Sequence, residues 1–220
     1  MRSLFIAATV SLLSATPLLA QTERGYITGV GGFAASTDTT SGNVVGEAGV
    51  RIAPHLLVFG NLGQFHNLQP SDAQPAVDST TATLALSDNL TVTGSARVPA
   101  WYSVGGVRYE IPTRSRVTPY VLGGLGFARL TPQAQFTYSS GVLPDGSTPV
   151  AGTDVTSQLV TAGFFTAPPA ANAFMYTLGT GVEIPVARHW AVDAGYRFSR
   201  VAADTPLNAQ GATFGFGYRF

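Results

Sequence analysis

Eight charged side chains are the residues of this sequence that could do chemistry together. Each lies inside a segment of otherwise small, apolar or aromatic residues. They are four acids and four arginines: Glu47, Arg51, Arg108, Glu110, Glu183, Asp193, Arg197 and Arg219. Arginine binds carboxylates through paired hydrogen bonds, so matched numbers of the two can neutralise one another in a confined space. The same groups could instead line a path for ions or small solutes. Which of these two roles they have depends on how the secondary-structure elements position them.

Other reactive residue types form no recognisable site. His55, His66 and His189 share no spacing typical of metal ligands. No G-x-S-x-G motif marks a nucleophile, and His189 follows a predicted tight turn, away from any Ser on an outer strand. The Gly-rich segments 29–32 and 123–126 lie inside predicted strands and do not open a helix, as a phosphate loop would. We therefore expect no enzyme activity, no cofactor and no metal site.

The composition excludes further classes of protein. Only 11% of the 220 residues are charged, against roughly 25% in ordinary soluble domains, and 25 residues are Gly. The formal net charge is zero, with no basic surplus to recruit nucleic acid. The absence of Cys excludes disulfides, thiol catalysis and Cys-ligated zinc.

Residues 1–20 have the features of a secretory signal peptide. Met1 and Arg2 precede an apolar stretch from Leu4 to Leu13, and small residues lead to Ala20. The apolar run is too short for a membrane-spanning helix, which needs about 20 such residues. We predict cleavage after Ala20, export, and a single mature domain over residues 21–220.

The mature chain alternates apolar and polar residues with the period of a β-strand. No window after residue 20 has the spacing of an amphipathic helix. Eight strands are predicted, over residues 24–35, 43–52, 55–67, 97–111, 118–130, 174–184, 190–199 and 211–220.

The predicted connections alternate between short and long. Tight turns containing Pro are expected at 53–54, 112–116 and 185–188, and loops at 37–42, 69–96, 131–172 and 202–210. All loops fall at one end of the meander, as in outer-membrane barrels. The two longest, at about 69–96 and 131–172, have the composition of solvated, mobile segments. The apolar residues of 131–172 indicate contact with a partner or with loop 69–96.

The polar face of the strands indicates which side meets solvent. A soluble barrel would need a Lys- and Glu-rich exterior, which Gly, Thr and a few charges do not supply. We therefore expect the eight charges inside, as a plug of ion pairs favoured over a transport path, and the aromatic face in lipid. Trp101, Tyr109 and Trp190 lie near strand ends, where aromatic girdles belong. Segments 56–59 and 120–122 are apolar on both faces and leave their orientation open, as do Tyr26 and Tyr120.

Three segments resemble a known family. They are 212–220 with its alternating aromatics, 191–198 with its Gly-Tyr-Arg-Phe, and 119–127. With the signal peptide, they are similar to the small eight-stranded outer-membrane barrels that include opacity-type proteins and the transmembrane domain of outer-membrane protein A. The resemblance implies an all-β fold, an eight-stranded antiparallel up-and-down transmembrane β-barrel, preceded by a cleaved signal peptide. It also implies that Phe214, Phe216, Tyr218 and Phe220 form the signal read by the barrel assembly machinery. Because the sequence stops at Phe220, we expect no peptidoglycan-binding domain of the kind that some members of the family append.

The function expected on these grounds is that of an integral protein of the bacterial outer membrane, with a structural and surface-interaction role through its extracellular loops. Its expected partners are outer-membrane lipid and lipopolysaccharide, the barrel assembly machinery and a surface ligand of the loops, with no nucleic acid and a monomeric state. Two alternatives stay open: a small porin passing ions or small solutes, and a soluble exported barrel binding an apolar ligand.

Overall fold

The computed structural model describes residues 24–36, 40–166 and 168–220. Residues 1–20, the predicted signal peptide, lie outside this range. No helix among the described residues is long and apolar enough to cross a membrane.

Eight antiparallel strands close into a barrel, which confirms the predicted fold. The barrel strands are Gly25–Ala35 (β1), Thr40–Ala53 (β2), Leu56–Phe65 (β3), Ala100–Glu110 (β5), Thr118–Leu130 (β6), Ala171–Pro185 (β8), Trp190–Ala202 (β9) and Leu207–Arg219 (β10). Each pairs with its neighbour in sequence among these eight, and β1 pairs with β10 to close the ring. Each observed strand overlaps a predicted one, although β10 begins four residues before the predicted start at 211. Closure leaves no open sheet edge, as a structure within lipid requires.

Inward and outward residues alternate along every barrel strand. On β2, for example, Val45 and Glu47 are buried while Val44 and Val50 are exposed. Pairing with neighbours settles the segments whose orientation the sequence left open: Leu57, Phe59, Tyr120 and Tyr26 all face the interior. The exterior is apolar and aromatic, so the alternative of a soluble barrel with an apolar interior surface is wrong for this chain.

Regular structure occupies both long loops, so the prediction that they contain no helix or strand is wrong. Loop 69–96 contains the helix Ala73–Ser87 (α1) and all but the last residue of the strand Thr91–Arg97 (β4). Loop 131–172 contains the strand Gln133–Ser140 (β7) and the short helix Thr156–Thr161 (α2). Strands β4 and β7 pair with each other in a separate two-stranded sheet. We call this unit, residues 69–98 and 131–166, the loop domain.

The loop domain has an apolar core of its own. Its buried members are Val77, Leu84, Leu90, Val92, Phe136, Tyr138, Leu143, Val155 and Leu159. Helix α1 rests on β4 at Gly94, where a Cβ would lie 2.2 Å from Val77 Cγ1. The Gln74 side chain fixes the helix there, since it donates to Gly94 O at 3.1 Å and accepts from Ala96 N at 2.9 Å. The apolar residues of 131–172 therefore contact loop 69–96, one of the two outcomes expected from the sequence.

Candidate functional site

The centre of the barrel interior is Arg108 of β5. Its Nη2 donates to Glu183 Oε2 at 2.6 Å, and Nη1 lies 3.8 Å from Asp193 Oδ2. The guanidinium also lies 3.8 Å from the centre of the Tyr120 ring and 5.0 Å from that of Tyr26. Arg108 is 2% exposed, so its charge is held almost entirely by these carboxylates and aromatic faces.

A second group forms around Glu47 of β2. Arg197 Nη2 donates to Glu47 Oε2 at 2.8 Å, and Asn61 Nδ2 contacts the same oxygen at 3.4 Å. The Tyr26 hydroxyl donates to the other oxygen, Oε1, at 2.8 Å. Because the Tyr26 ring also faces Arg108, this tyrosine connects the two groups.

The remaining predicted charges complete the arrangement toward the short-turn end. Arg51 Nη2 donates to Glu110 Oε2 at 2.7 Å, and Arg219 contacts Glu183 Oε1. All eight charged residues singled out in the sequence thus lie in the interior, and each is within ion-pair distance of at least one opposite charge among them. Four positive charges meet four negative ones, so the buried set is formally neutral. An arrangement of this kind fills space and resists the entry of water or free ions.

Three interior tyrosines belong to the site but were not predicted. Tyr26, Tyr102 and Tyr120 are each paired directly across the sheet with a glycine: Gly49, Gly63 and Gly181. A Cβ at these glycines would lie only 2.4, 2.4 and 2.5 Å from the opposing tyrosine, so the missing side chain provides the space for the ring. These tyrosines could have been found only from the strand register, which brings each Tyr opposite a Gly. The sequence of one strand does not contain that register.

The interior changes character toward the long-loop end. Above the charges lies a polar layer that includes Asn43, Thr177 and Ser199, and the Tyr102 hydroxyl donates to Asn43 Oδ1 at 3.1 Å. Above that layer the barrel is closed by apolar side chains: Phe65, Leu68, Val98, Leu130, Met175, Val201 and Leu207. The cavity between these layers measures about 10 Å³, room for about one water molecule. Two different layers of side chains therefore fill the interior, and the sequence predicted only the charged one.

The filled interior predicts that the barrel does not conduct. The chain from residue 21, refolded into a planar bilayer, should give no steady current, because apolar side chains of the described residues fill the interior above the charged layer. Single-channel recording checks this, with an unboiled gel to confirm folding. Reproducible current steps that change when Arg108 or Glu183 is replaced with Ala would contradict it and would support the porin alternative.

Aromatic side chains form bands on the outer face. Trp101 lies at the long-loop end of β5, and Tyr109 and Trp190 lie at the short-turn end, each with at least 43% of its surface exposed. Trp190 stacks on Phe216 with ring centres 4.9 Å apart, and Tyr218 meets the same indole edge-on at 5.3 Å. The four C-terminal residues of interest, Phe214, Phe216, Tyr218 and Phe220, all point outward. Such exposure suits contact with lipid.

The outer surface of the loop domain is acidic. It contains five Asp, at positions 72, 78, 88, 145 and 154, against the single Arg97. A hydrogen bond from the Ser147 hydroxyl lowers the pKa of Asp145, and one from the Thr156 hydroxyl lowers that of Asp154. These two carboxylates therefore stay ionised at neutral and mildly acidic pH.

The histidines are scattered and assemble no site. His55 forms the tight turn between β2 and β3 with a φ of 63°, a conformation that turns tolerate. His189 lies in the turn before β9, and its ring packs on Tyr218 with centres 5.5 Å apart. Within the described ranges, no three His, Asp or Glu side chains are placed to hold a metal ion.

Comparison with solved structures finds distant proteins, and the first two described here share the fold. The Neisserial surface protein A is 16% identical, with 89% of this chain and 96% of that chain covered and a TM-score of 0.52. A major outer membrane protein from Thermus thermophilus is 10% identical, with 91% and 100% covered and a TM-score of 0.56. Ail, the attachment invasion locus protein of Yersinia pestis, is 13% identical, with 90% and 100% covered and a TM-score of 0.47. No curated protein sequence matches the chain.

A family model gives the assignment that these distant likenesses cannot give alone. The model described as the outer membrane protein beta-barrel domain matches residues 5–220, nearly the whole chain. That match agrees with the closed barrel, the exposed aromatic bands and the long loops at one end. The chain belongs to the outer membrane protein β-barrel domain family and is an integral β-barrel of the bacterial outer membrane.

Proposed function

We propose that this protein is a non-enzymatic surface-recognition barrel whose loop domain contacts an opposing surface outside the cell. The observation that carries the proposal is the apolar core of the loop domain, centred on Phe136, Leu84 and Leu159, each 0% exposed. Solvated loops that only connect strands do not need such a core. A core holds the outer surface in one shape before binding, which lowers the entropy lost on association.

The charge of the loop domain narrows the class of partner. Five Asp against one Arg repel polyanions and attract basic surfaces. Exposed apolar side chains, including Leu86 at 87% and Val150 at 80%, add contact area among the acids. We therefore propose a neutral or basic protein surface as the partner, and expect heparin-coated beads not to retain cells that display the barrel.

The test is to remove the loop domain as a unit. Residues 69–97 and 132–170 are each replaced with a short Asn-Gly turn, because deleting one alone would expose the apolar face of the other. Cells displaying the trimmed barrel should adhere to epithelial monolayers and to sister cells no more than cells without the protein, whereas the full chain should increase adhesion. Equal adhesion by full and trimmed barrels, both shown to be folded by gel mobility, would overturn the proposal.

Two further roles follow from residues on the barrel exterior. We propose that Phe214, Phe216, Tyr218 and Phe220 form the assembly signal, since all four are exposed on the last strand or directly after it, where an assembly factor could bind them before closure. We also propose that lipopolysaccharide phosphates contact Arg129. This arginine is exposed on the outer face at the long-loop end of β6 and is paired across the sheet with Trp101. Trp101, Tyr109 and Trp190 would then anchor the two membrane interfaces, with the barrel acting as a monomer.

A further inference from the structure

The short-turn end of the barrel concentrates positive charge on two adjacent hairpins. Arg114 and Arg116 lie in the turn between β5 and β6, and Arg188 lies in the turn between β8 and β9. Strands β6 and β8 pair directly, so these two turns are neighbours on the rim. All three arginines are exposed, and none forms an ion pair with an acid of the described residues.

The residues beside the three arginines supply no negative charge that would offset them. Neither turn contains Asp or Glu. In the first turn, Thr113 Oγ1 and Ser115 Oγ both donate to Val117 O, at 2.7 and 3.0 Å, so the polar side chains between the arginines are used in closing the turn. At the opposite end, the loop domain contains five Asp. The barrel therefore has a positive end and a negative end, although the formal net charge of the full sequence is zero.

The positive turns are continuous with the lipid-facing surface. Directly beside them on the outer face lie Tyr109, Ile111, Ile184, Val186 and Trp190, each between 39% and 57% exposed. A soluble acidic protein would match the charge but not this apolar belt. A glycerophospholipid matches both, because its acyl chains cover the belt while its phosphate meets the guanidinium groups.

We propose that Arg114, Arg116 and Arg188 form a binding surface for anionic phospholipid headgroups of the periplasmic leaflet. Clustered cations at a membrane surface attract anionic lipids, and each added Arg multiplies the affinity roughly fivefold. This surface favours anionic phospholipid at the short-turn end, whereas the five Asp of the loop domain offer no such attraction at the other end. This inference rests on the barrel's place in the membrane and not on surface recognition by the loop domain, so either can fail without the other.

The two tryptophans of the chain allow a direct test, since one lies at each end of the barrel. Trp101→Phe leaves Trp190 as the reporter of the short-turn end, and Trp190→Phe leaves Trp101 as the reporter of the long-loop end. Each variant, with its fold checked by circular dichroism and gel mobility, is refolded into phosphatidylethanolamine vesicles containing brominated phosphatidylglycerol or, separately, the same fraction of brominated phosphatidylethanolamine. Brominated lipid quenches the fluorescence of a tryptophan that it contacts.

The expected result is that phosphatidylglycerol quenches Trp190 with an apparent affinity at least about fivefold above that of phosphatidylethanolamine. Replacing Arg114, Arg116 and Arg188 with Gln should remove that preference, as should about 1 M salt. The same triple substitution should leave the quenching of Trp101 unchanged, which makes Trp101 the internal control. Equal quenching of Trp190 by the two lipids, or a preference that survives the triple substitution, would overturn the proposal. An equal change at Trp101 would also overturn it, because the arginines would then act on the whole barrel.

Discussion

Replacing Arg108 with Ala should lower the free energy of unfolding of the barrel by about 3–5 kcal/mol, the usual cost of removing one partner from a buried ion pair. The substitution removes one of two partners from each of Glu183 and Asp193, both 4% exposed, and leaves the buried set with one negative charge in excess. Arg219 stays beside Glu183, and the Tyr120 hydroxyl still donates to Asp193 Oδ1 at 2.8 Å. It also removes the cation that stacks on Tyr120. Denaturant titration of the protein in short-chain lipid vesicles, followed by gel mobility and tryptophan fluorescence, measures the change.

A matched control separates the effect of breaking a buried ion pair from the effect of removing one positive charge. Arg116→Ala removes the same side chain from an exposed turn, where no described acid pairs with it. Its effect, measured in vesicles of zwitterionic lipid, should stay within about 0.5 kcal/mol, as for most surface substitutions. If Arg108→Ala is no more destabilising than Arg116→Ala, the interior charges do not hold the barrel together.

Replacing Phe136 with Ala should unfold the loop domain while the barrel stays intact. Phe136 is 0% exposed and meets Phe165 edge-on, with ring centres 5.2 Å apart. Truncation of a buried Phe costs about 3–5 kcal/mol, which corresponds to an increase of at least about 100-fold in the open population. Protease added to vesicles should therefore cleave residues 69–98 and 131–166 at least about 100-fold faster, with the barrel fragments still resistant.

The control for this substitution lies close by in the sequence. Phe164→Ala removes the same side chain at a position that is 36% exposed, so the cleavage rate should change by less than about tenfold. Loss of the heat-resistant gel mobility of the barrel in Phe136→Ala would contradict the independence of the two cores.

The barrel could be predicted from the sequence because its constraints are repetitive. Each strand must alternate, each short turn needs a residue that ends the strand, and lipid excludes charge from one face, so the sequence alone predicts that Arg108, Glu183 and Arg197 lie inside. Tyr26 and Tyr120 could not, because both faces of their strands are apolar or small and only cross-strand pairing decides the orientation. The apolar layer around Leu68 and Val98 was missed for a similar reason, since these residues lie outside the barrel strands.

The loop domain was not predicted because the sequence patterns within each of its segments are weak. Helix α1 buries only Val77 and Leu84, seven residues apart, amid Ala, Ser and Thr. The Asp72 side chain makes no capping hydrogen bond, and no acidic residue occupies the first turn. The helix is stable because it packs on β4, which is itself held by pairing with β7 about 40 residues further along the chain. The sequence pattern of either segment alone does not show that the two strands pair.

The pairing of β4 with β7 has a consequence for how this surface can diversify. In a barrel with separate loops, recombination can exchange one loop and keep the others. Here an incoming segment at 69–98 must match an apolar face supplied by 131–166, so an exchange of either segment alone exposes Val92 or Phe136 to water. Single substitutions on the outer surface do not expose the core to water, because the side chains there are already exposed, as are those of Leu86, Val142 and Val150. Variation among related barrels should therefore take two forms, single substitutions on the outer surface and joint replacement of both segments.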